Sequence, residues 1–513
     1  MRDNENESTA LIVNETTKES LEKRIRPAPS RFRNMLSKYS VRRSRDCINC
    51  GLCAELCPYG VHSKVHGFNR MSRPLSHRCI GPDCSKNDFF CVRKCPQGAL
   101  DVFINPVYET LGDYRWTADL ILSTWYQAET GQIHPGDLEY RTGNSGGGFD
   151  RLRFRFSENQ EKEVDLSRIS TQVELNRRDD NRPRITIDVP FYGGGMSFGS
   201  VSLSTMLARA RSSQLTGTFT CTGEGGYPEE LKQYDDCMIT QVATGLFGVS
   251  EETIKRVRIV VFKYAQGAKP GLGGHLLGDK NTADVARMRE AVQGSALFSP
   301  FPFHSVYSVE DHKKHVDWIR EVNPEALVSV KVSTPTDVDM VAVGSFYAGA
   351  HIIHLDGSYG GTGAAPEIAK KNIAMPIEYA IPKVHSFLKE EGIRDNITLV
   401  ASGGIRTADD IAKAIALGAD AAVLGTTDMV ALECIRCGNC ESGRGCARGI
   451  ATTDQELAAI IDVEWATQRL VNLYSAFQRR IREILYNLGL DSIADLRGRT
   501  DLLRHLDYEG DIS

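Results

Sequence analysis

The sequence predicts an α/β protein: a (β/α)8 TIM barrel preceded by a small cysteine-rich domain. Three observations carry that reading. Between about residues 185 and 430, eight short β-branched runs alternate with amphipathic stretches: ITIDVPFY, TGTFTCTG, RIVVFKYAQG, ALFSPFPF, LVSVKVS, HIIHLDG, ITLVASGG and AAVLGT. Strands each followed by a helix or long connection make a parallel sheet, and a count of eight favours a closed barrel over a doubly wound sheet. Glycines and polar residues gather at the C-terminal ends of the runs, where barrels build their sites. Ahead of them, eight cysteines crowd between Cys47 and Cys95. Helix starts in the barrel region carry caps: SVED at 308–311 and TADD at 407–410 have the capping-box spacing, with Asp in place of Glu.

The layout follows from these landmarks. Residues 1–40, polar and then basic, read as an N-terminal arm, and 41–105 as the cysteine domain. Residues 106–184 form a linking subdomain with Trp116, Trp125, a Gly-rich turn GNSGGGFD (143–150) and a charged stretch RFRFSENQEKEVDLSR (153–168). That turn reads as a loop, not a phosphate site. The barrel spans 185–455, and 456–513 are C-terminal helices packing outside it.

At 513 residues the chain has room for two or three domains. A net charge of −5 argues against a nucleic-acid binder. The polar opening, MRDNENESTALIVNETTKES, has no apolar core for a secretory signal. No run approaches the roughly 18 apolar residues of a membrane span. A cytoplasmic location is expected, and there clustered C-x2-C spacings favour metal over disulfides.

CINCGLCAELCP places Cys47, Cys50, Cys53 and Cys57 in the spacing C-x2-C-x2-C-x3-C-P of a two-cluster bacterial ferredoxin. Short spacing lets three thiolates cap one cubane face, and the fourth cysteine, turned away at Pro58, serves the other cluster. Cys79, Cys84, Cys91 and Cys95, with Pro96 after them, form the looser second half. By that crossover one [4Fe–4S] cluster takes Cys47, Cys50, Cys53 and Cys95, and the other takes Cys57, Cys79, Cys84 and Cys91. Zinc favours two separated pairs and fits poorly. The domain is therefore ferredoxin-like and carries electrons. A further set, Cys434, Cys437, Cys440 and Cys446, follows the last barrel run.

The last two barrel runs end in ASGGIRTADD and LGT. Loops after strands 7 and 8 of a barrel commonly bind phosphate, and a helix N-terminus after Thr407 would point N–H groups at the anion. Gly403, Gly404, Gly425 and Thr426 are the phosphate candidates. Beside an electron-carrying module, such a site suggests FMN. Gly360 and Gly361, in HLDGSYGGTGAAP, join the cofactor-binding set. Lys331, at the end of strand 5, is a cation for the flavin N1–O2 edge. Lys269 and Arg289 are cations for an anionic substrate. Cys221 and Cys237 read as buried, inert thiols.

Together SGGIRT, CTGEGG, AKPGLGG, YSVEDH, VSVK and DGSYGGTGAAP resemble the flavin-binding synthase domain of glutamate synthases, over about residues 190–455. With the cysteine domain included, the whole chain resembles the archaeal-type glutamate synthases. The resemblance implies that Cys434, Cys440 and Cys446 ligate a [3Fe–4S] cluster beside FMN. This chain departs from the pattern by one residue in the last spacing and by Cys437, which would complete a [4Fe–4S] cube. It also implies that Lys269 and Arg289 hold 2-oxoglutarate and that Glu224 is an active-site carboxylate. His275 replaces the family's usual Gln as a substrate contact, and Leu272 an acidic residue.

The expected reaction is reductive amination of 2-oxoglutarate with ammonia to L-glutamate, with Lys269, Glu224 and Arg289 as the catalytic set. A separate glutaminase subunit, a Gly-rich β-helix subunit and an electron-donor protein are the expected partners. The sequence shows no exposed N-terminal cysteine for a glutaminase and no G-x-G-x-x-G strand–helix unit for a nicotinamide. Two alternatives share the barrel: an N-methylglutamate synthase subunit using methylamine, and an electron-transfer subunit with no keto-acid site. Lys269 and Arg289 argue against the second.

Overall fold

The computed structural model describes residues 21–32, 37–87, 90–134, 148–156, 165–299, 303–365, 368–370, 372–441 and 444–507. The first twenty residues of the arm, most of the GNSGGGFD turn and the middle of the charged stretch 153–168 lie outside them.

Eight parallel strands close into a barrel. They are β1 (Phe191–Gly193), β2 (Thr220–Cys221), β3 (Met238–Val242), β4 (Ile259–Lys263), β5 (Leu327–Ser333), β6 (Ile352–Asp356), β7 (Thr398–Ser402) and β8 (Ala421–Leu424). Every residue of β3, β5, β6, β7 and β8 is buried, as expected of parallel strands covered on both faces. β8 pairs with β1 in the register Ala422↔Phe191, Val423↔Tyr192 and Leu424↔Gly193, which closes the ring.

The strand reading needs two corrections, and they cancel in the count. ALFSPFPF is not a barrel strand. Its Leu297–Ser299 pairs antiparallel with Gly274–Leu276 in a separate two-stranded sheet, and its middle residue Phe298 is 59% exposed. The third barrel strand is MITQV (238–242). Thr240 and Gln241 interrupt its apolar run, because Gln241 faces the central cavity. Lys331 therefore still lies on the fifth strand. The first run also splits. Thr186–Ile187 pairs antiparallel with Val173–Glu174, and only the end of the run enters the barrel.

Both expected caps form, in altered geometry. Ser308 Oγ accepts from Asp311 N–H and Thr407 Oγ1 from Asp410 N–H. The Asp carboxylates accept from the residue before the cap, Tyr307 N–H at 3.2 Å and Arg406 N–H at 3.0 Å.

The cysteine domain is closed by a two-stranded antiparallel sheet, Tyr39–Arg43 against Leu100–Ile104, around a core of Val41, Val61, Cys91 and Leu100. It meets the rest of the chain at the helix Ala118–Thr130. Glu129 takes His77 (3.2 Å) and Arg78 (2.5 Å), and Asp119 takes Lys38 at 2.9 Å. Burial alone would raise the Glu129 carboxyl, but these two partners hold it down to about 2. The 25-residue helix Val463–Asn487 packs outside the barrel against helices Leu203–Leu215 and Ala118–Thr130. Its fully buried Arg469 donates to the carbonyls of Ala431, Ala28 and Trp125. One guanidinium thus ties the arm, the linking helix and the end of the barrel together.

Candidate active site at the barrel mouth

The C-terminal ends of the strands surround a cavity of about 290 Å³. All eleven barrel candidates line it: Glu224, Lys269, His275, Arg289, Lys331, Gly360, Gly361, Gly403, Gly404, Gly425 and Thr426. So do Cys434, Cys440 and Cys446. Residues spread over more than two hundred positions converge because each lies near or beyond the C-terminal end of a strand of one closed ring.

Cations dominate one side of this cavity. Glu224 Oε1 accepts from Lys263 Nζ at 2.6 Å. Burial pushes the Glu224 carboxyl up, but Lys263, Lys269 and Arg289 outweigh it, and its pKa lies below the usual carboxylate value. Gly274 lets Glu224 approach, since a Cβ there would strike the carboxylate. Lys269 is 6% exposed and its ammonium forms no hydrogen bond with another described side chain. Burial, with Lys263 nearby, brings Lys269 down to about 8. Arg289 is lowered to about 10 by burial, partly offset by Glu224. Arg289 Nη2 donates to Ser197 Oγ and the Phe198 carbonyl, both at 2.9 Å, whereas its buried Nε has no partner among the described residues. Buried cations with open donors suit a carboxylate ligand.

His275 stacks on Phe298, ring centroids 4.7 Å apart, and forms the cavity wall there. Leu272 is 47% exposed and does not line the cavity.

The floor is polar and tightly paired. Lys331 Nζ stands 3.3 Å from Asp356 Oδ2. Ser402 Oγ donates to Asp356 Oδ1 at 2.5 Å and lies 2.8 Å from His354 Nε2. Burial drives His354 down to about 3, so its ring is neutral.

Glycines form the opposite side, and packing within the protein does not account for all of them. A Cβ on Gly425 would meet only Met196 Cε at 3.9 Å, and one on Gly360 nothing nearer than 3.4 Å. These positions leave backbone open toward the cavity, as a phosphate cradle requires. Gly403 and Gly404 have φ of +93° and +109°, and a Cβ on Gly403 would also collide with the Gly357 backbone. A Cβ on Gly361 would strike Thr426 Oγ1. The donor set fits an FMN phosphate.

The cysteines fall into three groups. Cys47, Cys50, Cys53 and Cys95 line one small cavity, which Cys91 also lines. Cys57, Cys79, Cys84 and Cys91 line a second. Backbone N–H groups of Gly81, Ala99 and Arg436 lie 3.3–3.4 Å from the sulfurs of Cys79, Cys95 and Cys434. Burial pushes the Cys79 and Cys434 thiols up to about 11, only partly offset by the N–H groups of Gly81 and Arg436. Among the described residues no three His, Cys, Asp or Glu side chains converge to hold a single metal ion. The thiols line cavities instead. In the third group Cys437 is exposed and off the central cavity. Cys221 and Cys237 are buried thiols, and burial pushes Cys237 up to about 12.

Sequence reasoning did not single out Lys263, Gln241, His354, Asp356, Lys280 or Arg436. A lysine at the end of a strand and acceptors inside one carry no local signature. Lys280, 3% exposed, donates to the Cys440 carbonyl at 2.5 Å and pairs with Glu441 at 3.4 Å. It ties the segment bearing His275 and Arg289 to the cysteine loop.

A closed barrel whose mouth joins a cationic pocket, a glycine cradle and a thiol ring is a barrel oxidoreductase. Residues 145–491 match the family described as the conserved region in glutamate synthase. The archaeal-type glutamate synthase [NADPH] of Thermotoga maritima is 37% identical over 481 residues, 89% of this chain and 92% of that protein. The archaeal glutamate synthase [NADPH] of Archaeoglobus fulgidus is 35% identical over 513 aligned positions, 93% of this chain and 96% of its own length. The glutamate synthase [NADPH] large chain of Azospirillum brasilense is 35% identical over 322 residues, 62% of this chain but 21% of that much longer protein. This chain belongs to the glutamate synthase family.

Proposed function

We propose that this chain is the synthase subunit of a glutamate synthase, which forms L-glutamate from 2-oxoglutarate and ammonia. The observation that carries the proposal is the central cavity, where two buried cations with open donors face a glycine cradle across a volume of about 290 Å³. Arg289 and Lys269 bind the substrate carboxylates. Glu224, held ionised by Lys263, takes a hydrogen bond from the incoming ammonia and orients its lone pair toward the keto carbon. As the carbonyl oxygen leaves as water, one of its two protons comes from the ammonia nitrogen and the other from Lys269, with its pKa near 8, which leaves a protonated imine. Gly403, Gly404, Gly425 and Thr426 would hold the phosphate of FMN, and Lys331 would supply a cation for its pyrimidine edge. When bound, FMN supplies the hydride that reduces the imine carbon.

The cysteine domain would supply the electrons that this site consumes. Cys47, Cys50, Cys53 and Cys95 would hold one [4Fe–4S] cluster, and Cys57, Cys79, Cys84 and Cys91 the other. Trp116 and Trp125 belong to one apolar cluster that packs against Cys434, and the helix that carries Trp125 meets the cysteine domain where Glu129 pairs with His77 and Arg78. Cys434, Cys440 and Cys446 would ligate that cluster as [3Fe–4S], since Cys437 points away. The relatives' names specify NADPH, whose two electrons would pass through a separate donor to centres that accept one at a time. A glutaminase subunit would deliver ammonia, and a β-helix subunit would complete the assembly.

The test is anaerobic turnover of the purified chain with a chemical reductant, 2-oxoglutarate and either ammonium, methylamine or glutamine. Glutamate from ammonium alone supports the proposal. N-methylglutamate from methylamine in preference would reassign the amine, and robust glutamine-dependent turnover would refute the separate glutaminase.

A further inference from the structure

We infer that the face of the cysteine domain around Cys50 docks an acidic protein that carries a one-electron centre. The inference rests on the proposed iron–sulfur reading of that domain. Residues 41–105 carry ten Lys and Arg against five Asp and Glu, in a chain whose overall net charge is −5. Positive charge is thus concentrated on this one module.

Its arrangement points to a redox partner. Of the two cysteine sets, the first reaches the surface: Cys50 is exposed, whereas Cys84 and Cys91 of the second are buried. Beside Cys50 stand Ile48, 59% exposed, and Phe68, 71% exposed. The turn bearing Phe68 is held against this loop. Met71 N–H donates to Asn49 Oδ1 at 3.0 Å, Lys64 bridges to Met71, and the Lys64 side chain lies against Gly51. Lys64, Arg70 and Lys94 are exposed around the apolar pair, and Lys64 and Arg70 form no ion pair with another described residue. The loop's own exposed acids are Asp46 and Glu55.

An apolar centre inside a basic rim, beside an exposed thiol of the proposed cluster, has the make-up of a transient electron-transfer interface. Opposite charge speeds encounter, and the small apolar contact keeps the complex short-lived. A nucleic acid would use the basic rim but has no use for the apolar centre or the exposed thiol.

The test uses the holoprotein and, as probe, a small acidic two-cluster ferredoxin. Stopped-flow reduction of the chain by the reduced probe is measured at low salt and at roughly 0.3 M, where exposed charges are screened, in wild type and in Lys64→Glu/Arg70→Glu. The rate is expected to fall at least about tenfold with salt and with the double substitution, and probe affinity by interferometry should fall with it. Photoreduction by a neutral deazaflavin should proceed equally in both proteins, and the cluster EPR signals should be unchanged. A rate and affinity indifferent to salt and to the substitutions, with the cluster signals present, would overturn the inference alone. Tighter binding of duplex DNA than of the probe would also overturn it. Absence of cluster signals in reconstituted wild type would instead remove the reading beneath it.

Discussion

Replacing Arg289 with alanine should weaken 2-oxoglutarate binding by about 10- to 150-fold while FMN stays bound. Arg289 is 5% exposed, and its Nη2 is committed to Ser197 Oγ and the Phe198 carbonyl at 2.9 Å. Those contacts fix the guanidinium plane and leave the buried Nε without a partner among the described residues. A substrate carboxylate gains a preoriented, charge-assisted hydrogen bond there. Such a bond contributes about 1.5–3 kcal/mol, and each 1.4 kcal/mol is about tenfold in affinity. Arg289→Lys should recover only part of the loss, because it keeps the charge but not the planar fork. Titrating 2-oxoglutarate into the oxidised holoprotein, followed by the flavin absorbance change, reads both quantities at once. Wild-type affinity in Arg289→Ala with an intact flavin spectrum would refute the carboxylate role.

Lys269 makes substrate affinity pH-dependent. Its charged form binds the anion and its pKa in the empty site is about 8, so affinity should be full below that pH and decline above it; a flat Kd from pH 7 to about 9.5 would count against the assignment. Cys437→Ser should leave the iron content and the EPR signal of the third cluster unchanged, whereas Cys440→Ser should abolish that signal, because Cys437 is exposed and off the cavity. Lys280→Met removes a buried cation from the Cys440 carbonyl and Glu441. It should cost about 1–3 kcal/mol of stability and shift the third cluster's potential downward, readable by thermal melting and redox-poised EPR; an unshifted potential would show that Lys280 does not act on the cluster.

The later barrel strands were legible because they obey the rule for parallel strands. HIIHLDG, ITLVASGG and AAVLGT are apolar runs bounded by glycine, and all became strands of the ring. MITQV was hidden by its function, since the glutamine that breaks the run is a cavity residue. ALFSPFPF misled because a short rim strand can be as apolar and aromatic as a core strand, and only its alternating burial separates them. The glycine cradle and the two substrate cations could be read because they follow strand ends or stand in quotable motifs. The Glu224–Lys263 pair joins the ends of β2 and β4, and the Lys331–Asp356 pair joins β5 to β6. Neither pairing has any sequence spacing to betray it, since closure of the barrel creates the contact. The exposure of Cys437 was equally hidden, because spacing alone makes it look like its neighbours.

The most direct test of the central claim is a half-reaction. The holoprotein is photoreduced under anaerobic conditions, and flavin reoxidation is followed at its visible absorbance band after adding 2-oxoglutarate, ammonium or both. If the central cavity unites keto-acid, amine and reductant, the pair together should reoxidise the flavin and yield one glutamate for each two electrons lost, and either compound alone should not. A flavin that stays reduced with both present, in protein that binds 2-oxoglutarate, would contradict the account.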